Sequence, residues 1–172
     1  MADNPETKRP AQVNIEDVRQ LPRTHQAQIP EDYLDLMGHM NVMWYTHLFA
    51  HAVGGLSKYL GMNRDYFVNN QAGTFVLKQY VNYLVEVRFG EQVSIYTRLL
   101  GRSPKRVHLM HFMVKDGPDV LASTSELLLT HIDMRTRRSS PFLPEISQSI
   151  DRLLVEHSAL SWPAPLAGPI QP

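Results

Sequence analysis

The segment Asp35-Leu36-Met37-Gly38-His39-Met40-Asn41-Val42-Met43-Trp44-Tyr45 gathers a carboxylate, a glycine turn, an imidazole and a side-chain amide immediately ahead of a helical stretch. The first N–H groups of a helix lack intrahelical partners and carry the positive end of its dipole. An amide at about Val42 can therefore polarise a carbonyl and hold the oxyanion that develops on it. Asp35, a short loop away, is placed to act on that carbonyl as base or nucleophile. The same residues have plain structural uses: Asn41 as a helix cap, Asp35 and His39 as turn residues, Gly38 as a left-handed backbone position. Spacing alone leaves both readings open. Met37, Met40, Met43 and Trp44 either pack in a core or line an adaptable apolar pocket.

Elements of regular structure must hold this segment in place. Tyr45, Leu48, Phe49, Ala52, Leu56, Tyr59 and Leu60 recur at helical spacing, which predicts one long helix over residues 42–60, capped by Asn41 and ended by Gly61. Gly54 and Gly55 each cost about 1 kcal/mol relative to alanine there, so a close backbone contact is expected against them. Alternation follows in Phe75, Leu77, Val81, Tyr83 and Val85, then in Val93 to Leu99, then in Val107 to Met113, and these are strands. A fourth strand over residues 120–133 contains Leu127, Leu128 and Leu129, apolar on both faces. Turn chemistry at Phe89-Gly90-Glu91, residues 101–104 and Asp116-Gly117-Pro118 predicts that successive strands pair antiparallel as a meander. With a short strand over 24–29 and a terminal helix over 144–157, the expected class is α+β, a curved antiparallel sheet wrapped on one helix. Residues 1–21 are expected as a mobile or loosely docked arm, 22–158 as the folded domain, and the proline-rich 159–172 as an extended tail.

Composition narrows the chemistry. At 172 residues and 43% hydrophobic the chain fits one domain with a real core. Seventeen basic side chains balance seventeen acidic ones, which excludes general nucleic-acid binding. Without cysteine there is no disulfide, thiolate nucleophile, iron–sulfur cluster or cysteine zinc site. No apolar run approaches the ~18 residues of a membrane span, and the polar start has no leader-like apolar stretch, so a cytoplasmic chain without membrane partners is expected. Serine-hydrolase, dinucleotide, phosphate-loop and zinc-protease motifs are missing. His47 and His51 stand one helical turn apart but lack a third ligand at a favourable spacing, so no metal and no cofactor are expected. Glu86 and Glu126 in apolar surroundings read as ion-paired or edge carboxylates. Arg98, Arg102, Lys105 and Arg106, and Arg135, Arg137 and Arg138, form two basic groups that are either solvated turns or an anion site.

The pattern Asp35-x-x-Gly38-His39-Met40-Asn41-x-x-x-Tyr45, followed by the long helix and the strands, resembles the hotdog-fold acyl-CoA thioesterases of the 4-hydroxybenzoyl-CoA thioesterase-like superfamily. The resemblance covers roughly residues 22–145. The run from Tyr83 to Glu91 is similar to that family's second strand and turn, and residues 120–138 to its last strand. It implies hydrolysis of a thioester to a carboxylic acid and free CoA, with Asp35 as base or nucleophile and the backbone N–H at about Val42 as carbonyl polariser. It further implies positioning roles for His39 and Asn41, and a substrate pocket of Gly38, Met40, Met43, Trp44 and Tyr45. In its light the basic groups, Arg102, Arg106 and Arg137 above all, are candidates for the CoA phosphates. A homodimer or homotetramer joined at sheet edges, with sites at the interface, is implied too. A branch of the superfamily with a catalytic glutamate on the helix is disfavoured, because residues 42–60 contain no Asp or Glu. A hydratase that adds water to a double bond, and a non-catalytic acyl-CoA-binding module, are the alternatives. Fatty, aromatic and cationic betaine-like acyl groups all stay open, the last because Trp44, Tyr45, Tyr80 and Tyr83 offer cation–π surface.

Overall fold

A computed structural model of the chain describes residues 13–168, 170 and 172. Its elements are α1 (Ile15–Val18), β1 (Arg23–Gln28), α2 (Val42–Tyr59), α3 (Arg64–Asn69), β2 (Ala72–Tyr83), β3 (Gln92–Arg102), β4 (Arg106–Lys115), β5 (Val120–Asp133), β6 (Arg138–Ser139) and α4 (Pro144–Ser158). The stripe of α2 buries Tyr45, Leu48, Phe49, Ala52 and Leu56 against the concave face of the sheet, while Tyr59 at its end is exposed. Gly55 has its explanation in a close contact with β1: a Cβ there would lie 1.8 Å from the Thr24 carbonyl oxygen. No neighbour stands within 4 Å of such an atom at Gly54.

The antiparallel sheet has the order β1-β3-β4-β5-β2, with β6 beside β5. The expected meander holds for β3, β4 and β5, and fails at β2, which pairs with β5 instead of β3. The reason lies in residues 84–91. They form no hairpin turn but cross the end of the sheet, spending their polar backbone on distant partners. The Leu84 and Val85 N–H groups donate to the Ala122 carbonyl, Gly90 N–H donates to Ile29, and Ile29 N–H donates to Glu91. Glu86, expected within a strand, consequently lies beyond the end of β2.

The chain itself covers the outer face of the sheet. Val18 and Leu21, in the described part of the expected arm, bury themselves with Tyr96, Met110, Phe112 and Val114. From the other terminus Trp162 sets its ring edge-on to Phe112 at 5.5 Å, and the Arg98 guanidinium lies 4.5 Å over it. Arg98 also donates to the Trp162 and His157 carbonyls at 2.7 and 3.1 Å. Glu126, buried on this face, meets His108 Nε2 at 2.7 Å and accepts the Ala167 N–H at 2.6 Å, which satisfies its carboxylate. α4 closes one end of the half-barrel with Ile146, Ile150 and Leu153.

A polar thread runs under α2, from Thr24 Oγ1 to Thr97 Oγ1 and on to His111 Nδ1, both steps 2.7 Å. Burial pulls the His111 imidazole down to about 3, and burial with the nearby Arg98 charge pulls His157 down to about 4. Between those values and the ordinary histidine value near 6.5, the unfolded chain binds protons that the folded chain refuses. Stability therefore falls as pH drops through that window, by up to about 1.4 kcal/mol per pH unit for His111 alone. Urea midpoints measured from about pH 7 to about pH 4.5 should decline steadily, and His111→Gln should shallow the slope. A flat wild-type profile would contradict neutral burial of these rings.

Candidate active site

Gly38, at φ 81, turns the loop back on itself so that Asp35 and His39 face one another. The Asp35 N–H donates to the His39 carbonyl and the Gly38 N–H to the Asp35 carbonyl, both at 3.0 Å. The loop is anchored on either side: Met40 N–H donates to Val87 at 2.7 Å, and Asn41 N–H to Tyr33 at 2.9 Å. Val87 is itself placed by a buried lysine, since Lys115 Nζ donates to the Glu86 carbonyl at 2.9 Å and pairs with Glu91 at 2.8 Å. Burial raises the Glu91 carboxyl, but Lys115 and the Arg88 N–H outweigh it and hold that group below the usual range.

Asp35 divides its carboxylate between two tasks. Oδ1 accepts the Met37 N–H at 2.8 Å, whereas Oδ2 lies 3.6 Å from His39 Nδ1, and both side chains are partly open to solvent. The helix start is just as asymmetric. Asn41 Oδ1 accepts the Met43 N–H at 3.0 Å, and its carbonyl accepts the Trp44 N–H at 2.9 Å. The Val42 N–H has no partner among the described residues. The residue with the free helix amide, Val42, and the imidazole that faces Asp35, His39, thus line one groove of about 230 Å³, with Asp35 itself set behind His39. His39 and Met40 from the loop, Val42 and Tyr45 from α2, Tyr83 at the end of β2 and Leu84 to Glu86 beyond it line the groove.

The candidates named from the sequence separate here. His39, Met40, Val42 and Tyr45 line the groove, whereas Asp35, Gly38 and Asn41 do not. Met37 and Met43 are exposed beside it, and Trp44 turns away to stack on Tyr33 at 3.7 Å. Tyr83 meets Tyr45 edge to face, ring centres 5.1 Å apart, but Tyr80 is paired with Glu126 and alternation places it on the other face of β2. Leu84 and Val85 were not foreseen as lining; the signal was an apolar run that outlasts its strand. His47 Nε2 and His51 Nε2 lie 3.1 Å apart, and no group of three potential ligands occurs among the described residues. No described helix is long and apolar enough to cross a membrane.

All three arginines chosen for phosphate lie at the end of the sheet remote from Asp35. Arg102 closes β3 and forks onto Asp151 at 2.6 and 2.5 Å, and Arg106 opens β4. Arg137, in the β5–β6 turn, stands 5.9 Å over the Phe75 ring. Neither Arg106 nor Arg137 forms an ion pair among the described residues. Along β2 the side chains of Phe75, Val76, Leu77, Tyr80 and Tyr83 are 39–49% exposed, an apolar row on a strand whose outer edge has no described partner.

Comparison with known proteins gives one family. The model of the thioesterase-like superfamily matches residues 30–150. The chain is 29% identical over 140 residues to a betainyl-CoA thioesterase of Pseudomonas aeruginosa, covering 81% of this chain and 88% of that protein. It is 28% identical over 131 residues to an L-carnitine dehydrogenase/betainyl-CoA thioesterase of Agrobacterium fabrum; the match covers 76% of this chain but only 27% of that longer protein. Among solved structures, a Staphylococcus aureus protein in complex with CoA superposes with a TM-score of 0.78 at 24% identity, covering 88% of this chain and 96% of its own. A 1,4-dihydroxy-2-naphthoyl-CoA thioesterase from Synechocystis shares the fold at a TM-score of 0.67 and 11% identity, covering 76% and 96%.

Proposed function

The chain belongs to the thioesterase-like superfamily, and on that premise we propose how this hotdog-fold hydrolase of CoA thioesters performs its reaction at the groove beside Asp35. The observation that carries the reading is the unpartnered Val42 amide on a small apolar groove that is also lined by His39, whose Nδ1 lies 3.6 Å from the partly exposed Asp35 carboxylate. The thioester carbonyl oxygen accepts from the Val42 N–H, which gains strength as negative charge develops on that oxygen. Asp35 Oδ2 then attacks the carbonyl carbon, or removes a proton from a water that does so. Collapse of the tetrahedral intermediate breaks the C–S bond and releases CoA thiolate, which takes up a proton. His39 orients Oδ2 or the water. Asn41 acts at one remove: by taking the Met43 N–H it fixes the helix start and leaves Val42's amide free.

Thiol release from a panel of acyl-CoAs tests this reading. Hydrolysis frees thiol, whereas consumption of an enoyl-CoA without thiol release would indicate addition of water to a double bond, and neither event would leave only binding. In the nucleophilic route loss of thiolate leaves an acyl–Asp35 anhydride that water then hydrolyses to the acid and free Asp35, so rapid-quench trapping of that anhydride with hydroxylamine separates the two roles. We read the acyl group as small and cationic, like the betainyl group in the names of the relatives.

The reading extends to a homodimer. Two β2 edges joined about a two-fold axis run antiparallel. Each Tyr83 end would then lie near the other chain's Ala72 end, where Arg137 stands over Phe75. The phosphate grip is accordingly supplied in trans. Arg137→Ala should raise KM for acyl-CoA several-fold, but not for a short pantetheine thioester, and added salt should imitate the change. Arg102→Ala, whose guanidinium Asp151 already occupies, should do less. Equal losses on both substrates would return Arg137 to an ordinary solvated turn.

A further inference from the structure

We infer that Tyr83 and Tyr45, with Glu86 at the groove's rim, form the subsite that selects a quaternary ammonium acyl group, an inference that rests on the hydrolase reading above. The two rings stand at 84° to one another with centres 5.1 Å apart, which makes an aromatic corner in place of a flat wall. Tyr45 is 4% exposed and Tyr83 49%, so one ring is a fixed backstop and the other faces the groove. Burial keeps the Tyr45 phenol above its ordinary value, hence uncharged while the enzyme works. Val42 and Tyr45 both line the groove, so a carbonyl held on Val42's amide leaves the α-substituent of the acyl group in the same groove as the Tyr45 ring.

The chemistry of the lining sorts the substituents. A trimethylammonium group spreads its charge over methyl groups, cannot donate a hydrogen bond, and is best received by aromatic faces. A primary ammonium would demand hydrogen-bond acceptors in numbers that this wall lacks. The lining contains the Glu86 carboxylate and neither lysine nor arginine, and Asp35 adds a second negative charge just beyond His39. Arg88 pairs with the Glu86 carboxylate at 3.0 Å and is not among the residues that line this groove, though it shares a neighbouring one with Glu86. Trp44 and Tyr80, the other aromatic candidates, are excluded by the stack on Tyr33 and by the opposite face of β2.

The test compares betainyl-CoA with 3,3-dimethylbutanoyl-CoA, in which a carbon replaces the nitrogen and the shape is kept. Each kcat/KM is divided by that thioester's own hydroxide-catalysed rate, so that the inductive effect of the ammonium cancels. The wild-type ratio should favour the cation at least about tenfold, the scale of one cation–π contact in a desolvated site. Tyr83→Leu should bring the ratio most of the way to unity, Tyr83→Phe should keep it, and Glu86→Gln should lower it about threefold. A wild-type enzyme that hydrolyses both substrates without charge preference, or a preference that survives Tyr83→Leu, would overturn the subsite. Failure to hydrolyse any CoA thioester would instead remove the hydrolase reading on which it rests.

Discussion

Asp35→Ala is expected to lower kcat by at least about 10²-fold, the scale on which a lost general base or nucleophile is felt. Its melting temperature should scarcely move. The loop that carries Asp35 is held by main-chain bonds, Asp35 N–H to His39, Gly38 N–H to Asp35 and Met40 N–H to Val87, which the substitution leaves in place. What it removes is one partly exposed acceptor for the Met37 N–H, worth on the order of 1 kcal/mol. Asp35→Asn sharpens the test because it keeps an acceptor for Met37 and loses only the charge, so it should be as inactive as the alanine variant. Thiol release under saturating substrate, read beside thermal melting, separates the outcomes. Near-wild-type turnover in either folded variant would remove Asp35 from the chemistry.

On the proposed pairing of β2 edges, Leu77→Asp should convert that dimer to a monomer and lower activity per subunit at least about tenfold, because the site would lose its second wall and the partner's arginine together. Leu77 lies midway along the apolar row of β2, 47% exposed. A carboxylate there puts two like charges close together across a two-fold edge and leaves each desolvated. Sedimentation at micromolar concentration should show no monomer for the wild type and predominantly monomer for the variant. A monomer that keeps full turnover would refute a shared site.

Local signals made α2 legible from sequence: period, Asn41 as cap and the demand that Gly55 meet a neighbour's backbone are all contained within one turn or two of chain. The neighbour of β2 was not legible in this way. Phe89-Gly90-Glu91 has the composition of a hairpin turn, and only the bonds from residues 84–91 to Ala122 and Ile29 show that the segment crosses the sheet instead. At the site, Asp35, His39 and Val42 could be singled out because a helix start advertises its free amides. The sorting of aromatics needed the fold. Trp44 and Tyr45 are adjacent in sequence, but one helical step of rotation sends the first to Tyr33 and the second to Tyr83. Parity along β2 divides Tyr80 from Tyr83 in the same manner. For the tail, proline content spoke to its extended conformation and was silent about docking, which depends on single residues such as Trp162 and Ile170.

That docked tail also sets the timing of the molecule's most vulnerable moment. Tyr96, Met110, Phe112 and Val114 precede residues 160–168 in the chain, yet those later residues help seal them from water together with Val18 and Leu21. Chains are made from the N-terminus at roughly 5–20 residues per second. Wherever strands β3 and β4 have paired before the tail is in place, their outer face would be apolar and covered on one side only, by Val18 and Leu21. Glu126 and Arg98 would then be without the Ala167 N–H and the Trp162 carbonyl that complete their bonding, so two charges would stand on that face and keep it wetter than its hydrocarbon would. The side chains that fasten the tail are thus the polar ones on that face, where a charge opposes strand-to-strand association.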